Sequence, residues 1–416
     1  MFMTSSSFTE VADLADPQLS DEMRAICERI GRRDQFSAID PERLLTAAVE
    51  QTGLTDFGSD WFRTPLEVLC RALHAEGDLS PLGAVTLRLQ LHRLLCGRLR
   101  VEQLIKEHPE IEHRPLDPPI VIAGLPRSGT TFLHNLLGSD ARLRRLAKGE
   151  AEGPPEPAAA SVADDPAQAE QQRILDENLP LLKKMIDVDE GASIEELALL
   201  GLSFSSILFQ IQGAPLPSYG EWFLATDQTP AYEYLARVLR ALHWRRGGGP
   251  WVLKTIQHMA QLRPLATAFP GATVVCTHRD PAVVIPSMST LLAYGQRLIT
   301  NKVDPVRTAG YWTERVLGMV ECCARDRAYV DEERIVDVQF SRIRDDTDGV
   351  VGEIYAKAGI PLTAETREAM NAIRARRHPH RHGRVRYDAA GLGLDQARIQ
   401  ERSADYRERF GVPAEA

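Results

Sequence analysis

The stretch Gly124-Leu125-Pro126-Arg127-Ser128-Gly129-Thr130-Thr131 puts two glycines, one cation and three hydroxyls directly ahead of a segment with Phe132, Leu133, Leu136 and Leu137 at helical spacing. A loop that enters a helix this way presents successive backbone N–H groups at the helix N-terminus, and such a cradle holds an anionic phosphate. Gly129 allows close backbone approach, Thr130 and Thr131 add hydroxyl donors, and Arg127 adds a cation at the loop tip. The spacing is that of a phosphate-binding loop with one substitution: Thr130 stands where nucleoside triphosphatases carry Lys. The loop therefore lacks the cation that would meet a β/γ-phosphate. An ordinary glycine-containing turn between strand and helix is the plain alternative.

A second cluster is His278-Arg279-Asp280-Pro281, with Ser287 eight residues beyond Arg279. Arg279 falls at the carboxyl end of an apolar run, where ligands bind in open α/β sheets. Pro281 opens a helix, and Ser287 lies about two turns along it. An arginine and a helix-borne hydroxyl could hold a second phosphate, separate from the first. Taken alone, a strand-end arginine is more often a surface ion-pair partner.

Together the two motifs resemble those of the sulfotransferases that use 3′-phosphoadenosine-5′-phosphosulfate (PAPS), most closely the bacterial branch with a Pro-Arg-Ser-Gly-Thr-Thr loop. Residues Trp251 to His258 and His382 to Tyr387 agree with that branch, and the resemblance covers about 118–412. It implies that Arg127, Ser128, Gly129, Thr130 and Thr131 bind the 5′-phosphosulfate, and that Arg279 and Ser287 bind the 3′-phosphate. It also implies that Gly383 and Arg384 belong to a segment closing over the 3′-phosphate and adenine. PAPS has no γ-phosphate, so the missing loop lysine is accounted for, and no metal is required. The implied reaction is an in-line displacement, with charge growing on the bridging oxygen of the departing PAP (3′-phosphoadenosine-5′-phosphate). Arg127, the loop amides and Thr130 would stabilise that charge. The branch places its base, a glutamate, after the loop helix and before a proline-rich stretch. Glu150 is the residue at that position, four before Pro154-Pro155, with Glu152 as competitor. The chain departs from the branch at Gly149, where an aromatic residue is usual, and at Ile256, where Pro is usual.

Lys254 and His258 complete the candidates. Lys254 ends the run Trp251-Val252-Leu253-Lys254 and could stabilise the leaving group or the sulfonate; His258 could orient the acceptor or assist as base. The alternative for His258 is a capping or surface role. The run His378 to Tyr387 is basic in an acidic protein. Its alternating histidines lack companion ligands at metal-binding spacing, so no metal site is expected there.

These residues need elements to position them. Ile120-Val121-Ile122-Ala123, Trp251 to Lys254, Thr273 to His278 and Arg334 to Val338 are short apolar, β-branched runs that alternate with helical patterns. That alternation predicts a parallel sheet covered on both faces. The expected fold is α/β, a P-loop-type three-layer arrangement with a mostly parallel sheet flanked by helices, plus a helical N-terminal region. The boundaries are 1–115 for the helical region and 116–416 for the α/β domain, with a mainly helical insertion at about 151–230. In the first region, helices are expected from Pro41, from a capping box at Thr64-Pro65-Leu66-Glu67, and from Ser80-Pro81 with Leu87, Leu91, Leu94 and Leu95 on one face. In the insertion, Gly149 to Asp165 reads as an irregular loop, and Ala167 to Ile186 and Ile194 to Ile211 as helices. The latter, with Tyr219 and Trp222, either lines an apolar acceptor pocket or is core.

The 416 residues carry 49 Lys and Arg against 58 Asp and Glu, a net charge of −9. This excludes a broad nucleic-acid footprint, and the 44% hydrophobic content excludes global disorder. The six cysteines form no CxxC pair and suit a reducing compartment. No signal-like or membrane-spanning run is visible, so a cytoplasmic protein is expected; a homodimer is the base expectation. The leading function is transfer of a sulfuryl group from PAPS to a hydroxyl of a small-molecule or lipid-like acceptor. The alternatives are a P-loop ATP-dependent kinase-like transferase, a nucleotide-binding module, or a sulfotransferase fold without activity.

Overall fold

The structure is a computed structural model and describes residues 8–32, 39–152, 166–186, 194–376 and 383–415. Its strands, in chain order, are β1 (Phe8–Thr9), β2 (Ile120–Gly124), β3 (Val252–Lys254), β4 (Thr273–His278), β5 (Ile335–Gln339) and β6 (Arg384–Val385). β2 to β5 form one parallel sheet in the order β3-β2-β4-β5. Every residue of β2, β3 and β4 is buried, which explains their unbroken apolar runs. Ile120 pairs with Val252 on one side and Thr273 on the other, and Gly124 pairs with Thr277.

Residues alternate along these strands between two cores. Val121, Leu253 and Val274 face a large core that is continuous with Leu44, Leu69, Leu91 and Leu95 of the N-terminal helices. Ile120, Ile122, Val275 and Val336 face a second core with Leu133, Leu136, Val351 and Tyr355. Helices therefore cover both faces, in three layers. From β2 the chain goes to the β3 side of the sheet, and from β4 to the β5 side. The carboxyl ends of β2 and β4 are thus a topological switch point, where open α/β sheets leave a crevice.

The N-terminal region is helical over Asp21–Gly31, Pro41–Thr52, Arg63–Glu76, Pro81–Glu107 and Glu110–His113. Asp40 and Ser80 cap the second and fourth of these, each followed by Pro at the first helical position. The expected capping box at Thr64 is corrected. A 3₁₀ turn over Asp60–Phe62 runs straight into the third helix, and the cap moves back to Ser59. Arg98, buried in the fourth helix, donates to the carbonyls of Phe57, Ser59 and Leu202, which ties this region to the insertion.

The insertion is more broken than its hydrophobic pattern suggests. A helix over Pro166–Asn178 stops ahead of Pro180, which cannot donate, and a short one resumes at Leu182–Met185. Phe204, at φ 53°, splits the next segment into Leu197–Gly201 and Leu208–Ile211. Phe204, Ile207, Phe209 and Tyr219 are buried, with the Phe204 ring against Phe62 and Phe209. These residues are core. The expected loop from Gly149 begins within a helix, Lys148–Glu152; its remainder, 153–165, lies outside the described residues. β1 pairs with β6 in a small parallel sheet that composition did not signal. No described helix is long and apolar enough to cross a membrane.

Candidate active site

The loop after β2 is held by its smallest residues. A Cβ at Gly124 would stand 1.8 Å from the Thr277 hydroxyl oxygen, so only glycine lets β2 and β4 close up here. Gly129, at φ 85°, precedes the Thr130–Leu137 helix without any side-chain cap. The first-turn amides of that helix have no intrahelical acceptor, and Thr130 and Thr131 supply two of them. The Ser128 hydroxyl instead bonds the Leu125 carbonyl and shares a 2.6 Å hydrogen bond with Thr277. The Ser128 side chain therefore closes the loop from inside rather than facing a ligand.

Arg127 adopts φ 64°, unusual for a residue other than glycine. Strain of this kind persists where surrounding contacts impose it. Here Arg279 Nη1 donates to the Arg127 carbonyl at 2.6 Å, and Arg127 Nε donates to Ser287 Oγ at 3.2 Å. The two sequence motifs, more than 150 residues apart, thus meet in one crevice. The Arg279 guanidinium lies over the Phe340 ring at 4.0 Å and forms a two-pronged pair with Glu415 at 2.8 and 2.9 Å. The Glu415 amide donates to Asp280, which also caps the Pro281–Gln296 helix carrying Ser287. A carboxylate thus engages the arginine expected to meet the 3′-phosphate.

Lys254 ends β3 beside the loop. Its Nζ donates to Thr131 Oγ1 at 3.3 Å and pairs with Glu195. An ammonium therefore reaches the anion cradle from the neighbouring strand, not from the loop lysine of a triphosphatase. The Lys254 amide donates to Glu196 at 3.0 Å. Glu196 also accepts from His258 Nε2, and His258 Nδ1 meets the Tyr232 hydroxyl at 2.8 Å. The carboxylate holds a proton on Nε2, and Nδ1 shares the second hydrogen bond with the Tyr232 hydroxyl. Burial pushes the Glu196 pKa up, but the hydrogen bond and charge of His258 win and leave it lowered. His258 is fully buried with both nitrogens engaged. The histidine, expected as a base or an acceptor contact, is placed between Tyr232 and Glu196 and clamps that carboxylate.

Glu150 is also placed differently from expectation. It is buried, with Oε1 on Arg144 at 2.8 Å and Oε2 on Arg246 at 3.0 Å and on the Ala147 amide at 3.0 Å. Arg144 lies over the Trp251 ring at 4.0 Å and donates to the Leu242 and Gly247 carbonyls. Trp251 precedes β3, so this cluster sits at the amino end of the strand, whereas Lys254 and the crevice are at its carboxyl end. The Glu152 side chain lies outside the described residues. Gly383 approaches Lys184, and Arg384 pairs with Phe8; these are their described contacts, rather than Arg279. The histidines of 378–382 lie outside the described residues, and among the described ones no group of three His, Cys, Asp or Glu could hold a metal.

Sequence reasoning missed Glu195, Glu196, Tyr232 and Glu415. A signal for the first two was present: two consecutive acids directly before the apolar run from Leu197.

A parallel sheet with a glycine-containing loop and helix N-terminus at its switch point, and an arginine and a serine reaching the same crevice from the neighbouring strand and its helix, defines an α/β protein with two candidate anion sites side by side. The model of the sulfotransferase family matches residues 118–365, more than half of the chain, and the chain belongs to that family. Its structure is similar to sulfotransferase STF1 from Mycobacterium tuberculosis H37Rv, with TM-score 0.74 and 28% identity over 89% of this chain and 100% of that one. It is also similar to sulfotransferase STF9 from Mycobacterium avium, with TM-score 0.78 and 27% identity over 90% and 97% of the two chains. No curated protein sequence matches the chain.

Proposed function

We propose that the protein transfers a sulfuryl group from PAPS to a hydroxyl of a small-molecule or lipid-like acceptor and releases PAP. The observation that supports this most is the Arg127–Ser287 hydrogen bond at 3.2 Å, with Arg279 on the Arg127 carbonyl, because it joins the two phosphate motifs in one crevice. In this reading, the amides and hydroxyls of Thr130 and Thr131, with Gly129 and Arg127, hold the 5′-phosphosulfate. Arg279 and Ser287 hold the 3′-phosphate, and Arg279 must exchange Glu415 for it. Lys254, at the same helix N-terminus, offsets charge on the bridging oxygen as the S–O bond breaks. Gly383 and Arg384 close the site from the segment that follows 377–382. Residues 116–416 are read as the transferase unit, with the N-terminal helices backing its sheet. A glutamate takes the acceptor proton.

The test is isothermal titration of the protein with PAP, and with Mg-ATP as rival. The expected result is PAP binding without metal, at least tenfold tighter than Mg-ATP. A preference for Mg-ATP would move the protein to phosphoryl transfer.

A further inference from the structure

We propose that Glu195 is the residue that takes the proton from the acceptor hydroxyl, released for that task when Lys254 turns from it to the donor. The inference rests on the PAPS reading above and names the base within that site.

Three carboxylates compete, and their surroundings separate them. Glu150 has both oxygens on guanidiniums or an amide and lies at the amino end of β3. Glu196 is fully buried, with its oxygens on His258 and the Lys254 amide. Both are buried, with each oxygen already on a hydrogen-bond or ion-pair partner. The Glu195 side chain retains 31% of its exposure, and its partner among the described residues is the Lys254 ammonium. That ammonium also touches Thr131 Oγ1, in the first turn of the helix that forms the anion cradle. Glu195 is therefore one ion pair away from the cradle and open to solvent, as a base must be to meet an incoming hydroxyl.

The neighbouring residues explain how it is held. Glu196 is anchored from two sides, by the Tyr232–His258 pair and by the strand amide. Anchoring residue 196 fixes the backbone one residue away and aims Glu195 across the carboxyl end of β3. Tyr232 and His258 are thus positioning residues, acting through Glu196.

The step balances without another reactant. The acceptor oxygen forms a bond to sulfur, and the sulfur bond to the 5′-phosphate oxygen breaks. Its electron pair stays on PAP, where Lys254 meets the charge. The acceptor proton passes to a Glu195 oxygen. With water as acceptor the products are PAP and hydrogen sulfate.

The experiment measures PAP released from PAPS with enzyme in excess and water as acceptor, alongside calorimetric PAP affinity. Positioned bases contribute about 10²–10⁴-fold. Glu195→Gln is expected to lower the release rate by roughly 100-fold or more while the PAP dissociation constant stays within about threefold. Glu195→Ala is expected to regain part of the rate with added formate, which a purely structural role would not allow. Release by Glu195→Gln at the wild-type rate, absence of formate rescue, or wild-type release no faster than in buffer would overturn the proposal. Failure of the wild type to bind PAP would instead remove the donor reading beneath it.

Discussion

At Glu150 both carboxylate oxygens are engaged, and the partner Arg144 is itself buried over Trp251. Burial pushes the Arg144 pKa down to about 10, with the Glu150 charge opposing that fall. A buried guanidinium stripped of its counter-ion is the expensive case among ion pairs, costing about 3–5 kcal/mol. Arg246 is half exposed and adds little. Glu150→Gln is therefore expected to lower unfolding stability by about 3 kcal/mol in urea titration, with PAP affinity and PAP release per folded molecule retained. Unchanged stability with abolished release would return the base to Glu150. The contrast with Glu195 shows what residue types alone leave open: a glutamate at the family position carries no sign of which end of the strand its carboxylate occupies.

The loop helix shows how an element links stability to the site. His134, on the Thr130–Leu137 helix, is buried and bonds the Val252 carbonyl at 3.2 Å. Burial lowers its pKa to about 4, although the Glu196 charge pulls the other way. The unfolded chain binds this proton below about 6.5 and the folded chain only below about 4. Between those values the unfolded state holds more protons, so stability rises with pH through that window and is lost as pH falls through it. At about 1.4 kcal/mol per unit, the loss approaches roughly 3 kcal/mol. Thermal unfolding from pH 7 to 5 is expected to fall steeply for the wild type and less for His134→Gln, whose amide keeps a donor for Val252. Equal slopes would show that His134 does not couple the helix to pH. The elements themselves were legible to different degrees. β2 to β5 announced themselves because strands buried on both faces must be apolar throughout, and Pro and Gly mark their ends. The break at Phe204 was not legible, since a left-handed phenylalanine leaves no local signature and is imposed by packing against Phe62 and the Tyr219 hydroxyl. Two-residue strands such as β1 are set by their distant partner, here β6.

Over the whole molecule, function depends on contacts between distant parts of the chain. The two candidate motifs stood out because each carries a local signature, glycines with hydroxyls and a cation in the first, a strand-end arginine and a helix-borne serine in the second. Their meeting did not, because Arg127 reaches Ser287 only through the order of strands β2 and β4. Glu195 reaches Lys254, and Glu415 reaches Arg279, through packing that no local pattern encodes. In the proposed reading, the donor's 3′-phosphate replaces Glu415 on Arg279, so one anion is exchanged for another and the cation is not left unpaired. His278 helps to seat that segment. It bonds the Tyr406 hydroxyl and Asp337 at 2.9 Å each, and stacks on Phe410 at 4.3 Å.

The central claim is that two separate phosphate sites share the crevice at the switch point, and the direct measurement compares PAP with 5′-AMP on the wild type and Arg279→Ala. A charge-assisted contact is worth about 1.5–3 kcal/mol, or roughly 10–100-fold in affinity. The account predicts that the wild type binds PAP more tightly than 5′-AMP by about that factor. It further predicts that Arg279→Ala removes the difference by weakening PAP alone. Equal affinity for the two nucleotides in the wild type, or an equal loss of both in the variant, would contradict it.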